Sequence, residues 1–128
     1  MTAYEAMIHC LKSEINDSVV RFDHNLSESE LDHLYGISKY HDLSHMVGSA
    51  LIKNKVLQPQ TELYNKFKKK IMFALYRYEK SNYEFHEIVK LFEERQIKFM
   101  PLKGVILREL YPAQWMRTSC DIDILIEK

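Results

Sequence analysis

Apolar residues recur at helical spacing along most of the chain, from Thr2 to Gln96. Thr2 with Glu5 has capping-box spacing, in which each side chain accepts a hydrogen bond from the other residue's backbone N–H. Ser27 with Glu30 repeats it. The stripes that follow predict a succession of helices. Their residues are Met7, Ile8, Leu11 and Ile15; Leu31, Leu34 and Tyr35; Leu43, Met46, Val47, Ala50 and Leu51; Leu63, Phe67, Ile71, Leu75 and Tyr78; and Phe85, Ile88, Val89 and Phe92.

Three places are expected to interrupt this helical pattern. Asp23–Asn25 is polar and predicts a loop. Pro59 ends the third helix or begins the next one, because proline lacks the backbone donor that a helix interior needs. The pattern favours a kink or short break near Ser81 and Asn82, which lie between the stripe that ends at Tyr78 and the stripe that begins at Phe85.

The pattern changes character at Ile97. Ile97–Leu102 is a short apolar run that predicts a strand, and Val105–Leu110 predicts a short helix that Pro112 ends. After a loop at 113–120, Asp121–Ile126 alternates acidic and apolar residues, which is typical of a strand with two distinct faces. The fold class expected is therefore α+β.

Two regions follow from this division, a helical region at 1–96 and the opening β–α–β of a mixed domain at 97–128. Two strands are too few for a complete sheet-based core, so the second region is expected to be part of a larger domain.

Composition limits the classes of partner. Eighteen basic and eighteen acidic residues give no net charge, which argues against extended nucleic-acid binding but permits a single nucleotide. No apolar run approaches the roughly 20 residues that span a bilayer, so no membrane partner is expected. Cys10 and Cys120 lie far apart and form no cysteine motif, which favours a reducing cytoplasm and makes Cys120 a buried thiol by default.

Asp121 and Asp123 are the strongest candidates for chemistry. In a strand both carboxylates would share one face, while Ile122 and Ile124 would face a core. Like charges about 4 Å apart repel by roughly 4 kcal/mol at an effective dielectric near 20, so a cation between them would be stabilising. Mg²⁺ prefers such hard oxygen ligands and binds them together with substrate phosphates.

The turn at Lys103 and Gly104 is the second candidate. Glycine after a strand lets the backbone approach a ligand, and the following helix would direct its N–H groups at a phosphate. Lys103 would add a positive charge, and Arg117 would contact a phosphate or orient the aspartates.

These elements, taken in order, resemble the uncharacterised nucleotidyltransferase family of the polymerase-β superfamily. The resemblance is sharp over roughly the last 30 residues and only architectural before them. The matching residues are Phe99-Met100-Pro101-Leu102-Lys103-Gly104, Leu110-Tyr111-Pro112, Arg117 and Asp121-Ile122-Asp123-Ile124-Leu125-Ile126.

The resemblance implies nucleotidyl transfer from a nucleoside triphosphate to an unknown acceptor with two Mg²⁺ ions. Asp121 and Asp123 would be metal ligands, and Lys103 and Gly104 would lie at the phosphate-binding turn. Two departures stand out. Val105 follows Gly104 where the superfamily more usually has a serine or glycine beside the turn, and a third carboxylate normally comes from a later strand. Glu127 does not fit that role, so this stretch is expected to be catalytically incomplete.

Other interpretations stay open. A non-catalytic helical interaction module with a remnant of the transferase domain is the main alternative, and the free edge of an unfinished sheet would favour self-association. His41 and His45 have the i, i+4 spacing of two zinc ligands on one helix, but packing or surface histidines are the simpler interpretation. A basic cluster, also expected to be a solvated helix face, consists of Lys66, Lys68, Lys69 and Lys70.

Overall fold

A computed structural model describes residues 1–118 and 121–128. The chain is α+β and mostly helical, as expected. Its helices are α1 Ala3–Ile15, α2 Glu28–Tyr40, α3 Ser44–Lys53, α4 Glu62–Glu94 and α5 Gly104–Leu107, with 3₁₀ turns at Arg108–Leu110 and Gln114–Met116. The strands are β1 Phe99–Leu102 and β2 Asp123–Ile126.

The chain divides into two compact units, Met1–Phe73 and Ala74–Lys128. This division does not test the domain boundary predicted near residue 96, which stays a prediction. The two units are described separately below as the first and the second unit.

The first two helices begin where their capping boxes predict. Thr2 Oγ1 accepts from the backbone N–H of Glu5 at 3.1 Å, and Glu5 Oε2 accepts from that of Thr2 at 2.7 Å. Ser27 and Glu30 make the same reciprocal pair at 3.2 and 2.7 Å. Each box satisfies two backbone donors that a helix start leaves without partners.

The buried face of α1 differs from the predicted one. Met7 is buried as expected, but Ile8 and Ile15 are 46% and 53% exposed. Glu14 is buried instead, and its carboxylate accepts from Ser49 Oγ at 2.8 Å and Lys53 Nζ at 3.2 Å. A buried carboxylate is tolerated because both donors satisfy it, and this contact needs α3.

The core of the first unit centres on Phe67, which is fully buried. Its ring meets the ring of Tyr35 edge-on at 5.0 Å between centroids. Gly48 in α3 lies against it so closely that a Cβ atom there would come within 2.9 Å of the Phe67 side chain. The aromatic ring therefore occupies space that a side chain at position 48 would need. The core residues around it are Ala6, Met7, Cys10, Val20, Leu31, Leu34, Val47, Ala50, Leu51 and Leu57.

A charged network at the start of α2 predicts a pH dependence for the first unit. His24 bonds Glu30 at 2.8 Å and Asp23 at 2.7 Å, and these carboxylates raise its pKa above the usual 6.5. The Ser27 N–H and His24 lower the pKa of Glu30 from 4.5 to about 2. His24 therefore stabilises the fold below pH 6.5, and this contribution is lost as pH rises through its raised pKa. Glu30 stabilises the fold above pH 4.5, and this contribution is lost as pH falls toward 2.

Both contributions are complete between pH 4.5 and 6.5, so the network is expected to stabilise the first unit most in that window. Urea unfolding at a series of pH values measures it. His24→Gln should flatten the decline above pH 6.5. An unchanged decline in that variant would assign the pH dependence to other groups.

The second unit contains most of α4, which continues through Ser81 and Asn82 without interruption. Of the kink or short break favoured there, the break is wrong, and the kink stays a prediction. Ser81 is buried and its hydroxyl accepts from Arg108 Nη2 at 2.9 Å, so a tertiary contact uses the side chain that otherwise competes for backbone hydrogen bonds. Within the described part of the chain, every helix is too short or too polar to cross a bilayer.

The two strands follow α4 and pair antiparallel. Phe99 lies opposite Ile126 and Leu102 opposite Asp123. Both strands begin two residues later than predicted. At β2 the reason is local: its partner strand ends at Leu102 and the chain turns away at Lys103, so the strand pairing begins at Asp123 and not at Asp121.

Candidate functional site

The antiparallel register brings Lys103 and Asp123 together. Leu102, the last residue of β1, lies opposite Asp123, the first residue of β2. Lys103 follows immediately, and its Nζ lies 3.8 Å from Asp123 Oδ2. The Lys103 and Asp123 side chains are 74% and 45% exposed, so a ligand could reach both. Two of the predicted site residues are thus neighbours at one end of the strand pair.

The bend after β1 is made by Lys103 and not by Gly104. Lys103 has φ 51° and ψ −118°, a backbone conformation with positive φ that residues other than glycine rarely adopt. Gly104 is buried and begins α5, and the chain has no glycine with positive φ among the described residues. Such strain at a non-glycine residue costs about 1–3 kcal/mol and concentrates at functional sites. The unusual backbone geometry of this turn therefore belongs to Lys103.

Replacing Lys103 by glycine tests this strain. Lys103→Ala removes the ammonium but keeps a Cβ atom, whereas Lys103→Gly removes both. We expect the glycine variant to be more stable than the alanine variant by about 1 kcal/mol or more, because the strain is relieved. In ordinary helical backbone glycine would be less stable than alanine by about 1 kcal/mol. Chemical denaturation of both variants measures the difference, and a more stable alanine variant would refute the strain.

Asp123 is the first residue of β2, whereas Asp121 lies before the strand. Asp123 is half-buried inside the strand, and Asp121 is exposed and precedes the strand by two residues. Ile122 and Ile124 are half-buried. Residues 119 and 120 lie outside the described part of the chain, and with them the interpretation of Cys120 as a buried thiol.

The donor chemistry of this pair fits a magnesium ion. The carboxylates of Asp121 and Asp123 offer the hard oxygen ligands that Mg²⁺ prefers. The Asp123 carboxylate already has one cation beside it, the ammonium group of Lys103. In residues 1–118 and 121–128, no group of three or more histidine, cysteine, aspartate or glutamate side chains is placed to hold a metal. Two aspartates alone would leave most of the coordination shell of the ion to substrate and water.

The second unit also buries an arginine, Arg108. Arg108 is only 3% exposed, donates from Nη2 to Ser81 Oγ at 2.9 Å, and has its guanidinium carbon 5.6 Å from the centroid of the Tyr78 ring. Burial lowers the pKa of Arg108, the Tyr78 side chain opposes this, and the positive charge of Arg117 lowers it further.

Both arginines also leave a buried donor unused. Nε of Arg108 and Nε of Arg117 are covered from solvent and have no hydrogen-bond partner. An unpartnered buried donor costs about 1–3 kcal/mol, and more when the group is charged.

The other sequence candidates belong to the first unit. His41 is the exposed C-cap of α2, and His45 is buried in α3, so the two histidines do not share one helix. In the basic cluster, Lys66 pairs with Glu62 at 3.2 Å, and Lys68 lies 5.7 Å from the centroid of the Tyr64 ring. These contacts are those of a solvated helix face.

Comparison with known proteins identifies a family for this chain. A family model described as an uncharacterised nucleotidyltransferase matches residues 27–128. No curated protein and no solved structure shows significant similarity to the chain.

Proposed function

Because this chain belongs to the uncharacterised nucleotidyltransferase family, we propose that it takes part in Mg²⁺-dependent transfer of a nucleotidyl group from a nucleoside triphosphate. The proposal includes a place for the family in the polymerase-β superfamily. The observation that carries it is the pairing of Lys103 with Asp123, 3.8 Å apart at one end of the strand pair, with Asp121 two residues away.

Each residue has a role in this proposal. Asp121 and Asp123 would hold the metal, and Lys103 would neutralise charge on the triphosphate. Bound Mg²⁺ would supply Lewis-acid activation of an attacking hydroxyl and stabilisation of the pyrophosphate leaving group. Gly104 would lie at the phosphate-binding turn because its backbone follows Lys103 directly. Since α5 has only four residues, its dipole adds little, and phosphate binding depends on the cationic side chains.

The metal site needs further ligands. The described residues bring no third carboxylate to Asp121 and Asp123. We propose that residues outside them contribute it, which makes the described part incomplete for catalysis. Tests of activity therefore use the full-length protein.

A thermal shift with Mg²⁺ and ATP tests nucleotide binding. A ligand present at 100 times its dissociation constant stabilises the folded state by about 2.7 kcal/mol, so the midpoint should rise clearly. The rise should require both ATP and Mg²⁺ and should shrink when EDTA removes the metal. An unchanged midpoint with ATP, GTP, CTP and UTP would contradict the proposal.

Exposed apolar side chains favour a second candidate, a non-catalytic interaction module. In the second unit, Leu110 is 78% exposed, Tyr83 66% and Tyr76 62%. Each strand of the two-stranded sheet also has one edge without a partner strand in the described residues, which favours self-association. Sedimentation analysis combined with the nucleotide titration separates the candidates, because the module would associate without responding to Mg²⁺ and ATP.

A further inference from the structure

A cavity in the first unit has a surplus of positive charge. Its volume is about 850 Å³, and it is lined by residues 20–26 of the loop before α2 and by residues 54–56 and 58 after α3. Sites for small molecules usually have volumes of about 300–1,000 Å³. We propose that this cavity binds a phosphate monoester, with Arg21 and Lys55 contacting the phosphate group. Arg21 precedes residues 27–128, which the family model matches, so family membership does not imply this site.

One side chain holds the two walls of the cavity together. Asn54 Oδ1 accepts a hydrogen bond from the backbone N–H of Val20 at 3.3 Å, and Asn54 Nδ2 donates to the carbonyl of Ala50 at 2.7 Å. Arg21 follows Val20 directly and Lys55 follows Asn54, and both cations line the cavity. The contact between residues 20 and 54 therefore brings the two cations to the same cavity.

The negative charge at the cavity is already compensated. Asp23 lines the cavity, and its carboxylate lies 2.7 Å from His24 Nδ1 and 3.7 Å from the amino group of Met1. His24 Nε2 lies 2.8 Å from Glu30, and both carboxylates raise the pKa of His24 above 6.5. While His24 is protonated, one histidine and one terminal ammonium group thus balance two carboxylates.

Arg21 and Lys55 have no such compensation. Both side chains are exposed, and neither forms an ion pair within residues 1–118 and 121–128. Two positive charges therefore remain for a ligand. A phosphate monoester carries about −1.5 to −2 charges at pH 7 and matches this number, whereas a single carboxylate would leave one cation without a counter-charge. Guanidinium and ammonium groups both bind phosphate oxygens.

Apolar side chains provide a surface for the organic part of the ester. Phe22, Leu26 and Val56 line the cavity, are half-buried and pack against the core of the first unit. Small-molecule sites typically combine such apolar walls with a few polar groups that orient the ligand. A nucleoside monophosphate has both parts, a phosphate monoester and a base with apolar faces, so AMP is a suitable probe.

Calorimetric titration of the full-length protein with AMP tests the proposal. EDTA excludes metal-dependent binding, and pH 6.5 keeps His24 mainly protonated because its pKa is higher. Arg21→Gln and Lys55→Gln should each bind AMP about tenfold more weakly, the usual effect of losing one charged hydrogen bond. Lys55→Arg keeps the charge and should bind like the wild type. So should the matched control Lys12→Gln, which replaces an exposed lysine of the first unit outside the cavity.

Three further probes identify the chemistry that the cavity recognises. Inorganic phosphate should bind more weakly than AMP and should lose affinity in the same two glutamine variants. Adenosine, which lacks the phosphate, should bind about tenfold more weakly than AMP or not at all. Adenosine binding as tight as that of AMP would overturn the phosphate assignment. A triglutamate peptide that binds as tightly as AMP would also overturn it, because the cavity would then attract any anion.

Stability and NMR measurements separate binding from a structural role. Arg21 and Lys55 are exposed, so both glutamine variants should unfold at the urea concentration that unfolds the wild type. AMP should shift the backbone amide signals of both residues in the wild-type protein. Wild-type affinity in both glutamine variants, or unshifted amide signals, would refute the site. The site and the proposed nucleotidyl transfer fail independently, because the transfer requires Mg²⁺ and Asp123 and AMP binding in EDTA requires neither.

Discussion

Asp123→Asn in the full-length protein is expected to lower Mg²⁺-dependent nucleotidyl transfer by about a thousandfold. Asparagine keeps the size of the side chain but removes the charge that would hold the metal. The metal is expected to supply several kcal/mol of transition-state stabilisation, and about 4 kcal/mol corresponds to that factor. Asp121→Asn should have a similar effect. Release of pyrophosphate from labelled nucleotide, measured with and without Mg²⁺, gives the rates.

Glu127→Gln is the matched control for this loss. Glu127 lies at the other end of the same strand pair, where its carboxylate is 3.7 Å from Lys98 Nζ. The Glu127→Gln substitution thus removes an exposed ion pair similar to that of Asp123 with Lys103. Each such pair contributes only about 0–1 kcal/mol to stability. The control should keep its activity. Retained activity in Asp123→Asn, or equal losses in both variants, would contradict a metal-binding role for Asp123.

Phe67→Ala is expected to destabilise the first unit by about 3–5 kcal/mol, the usual loss for a buried phenylalanine. Phe67 is fully buried, packs against Tyr35 and fills the space above Gly48. Removing the ring leaves a cavity that α3 and α4 cannot close without shifting. Whole domains are stable by only about 5–15 kcal/mol, so the variant should unfold at much lower urea concentration.

The control for this variant is Met72→Ala. Met72 lies on the same helix and is 61% exposed, so its loss should change the free energy of unfolding by less than about 0.5 kcal/mol. Comparable losses in both variants would show that Phe67 does not anchor the core.

The start of each capped helix could be predicted because its cause is local. Thr2 and Glu5 meet within one turn, so two residue identities and their spacing are enough. The buried face of α1 was less predictable. Apolar spacing alone grouped Ile15 with Met7, whereas Ser49 and Lys53 from α3 allow Glu14 to be buried instead.

The continuity of α4 illustrates the same limit. Ser81 and Asn82 are weak helix formers, and spacing alone favoured a kink or short break near them. The structure instead buries Ser81 and engages its hydroxyl with Arg108, 27 residues later in the chain. A contact between residues so far apart in the sequence cannot be predicted from the local spacing of apolar residues.

Some features of the candidate site could likewise be predicted from local sequence, and others depended on tertiary contacts. The family, the order of its elements and the candidacy of the aspartates, Lys103 and Arg117 could all be inferred from the residues alone. These inferences depend on residue identity and near spacing. The packed structure was needed to show that Lys103 meets Asp123, that Lys103 carries the strained bend and that Arg108 is buried. These three facts depend on strand register, backbone torsion and burial, which arise when distant segments pack together.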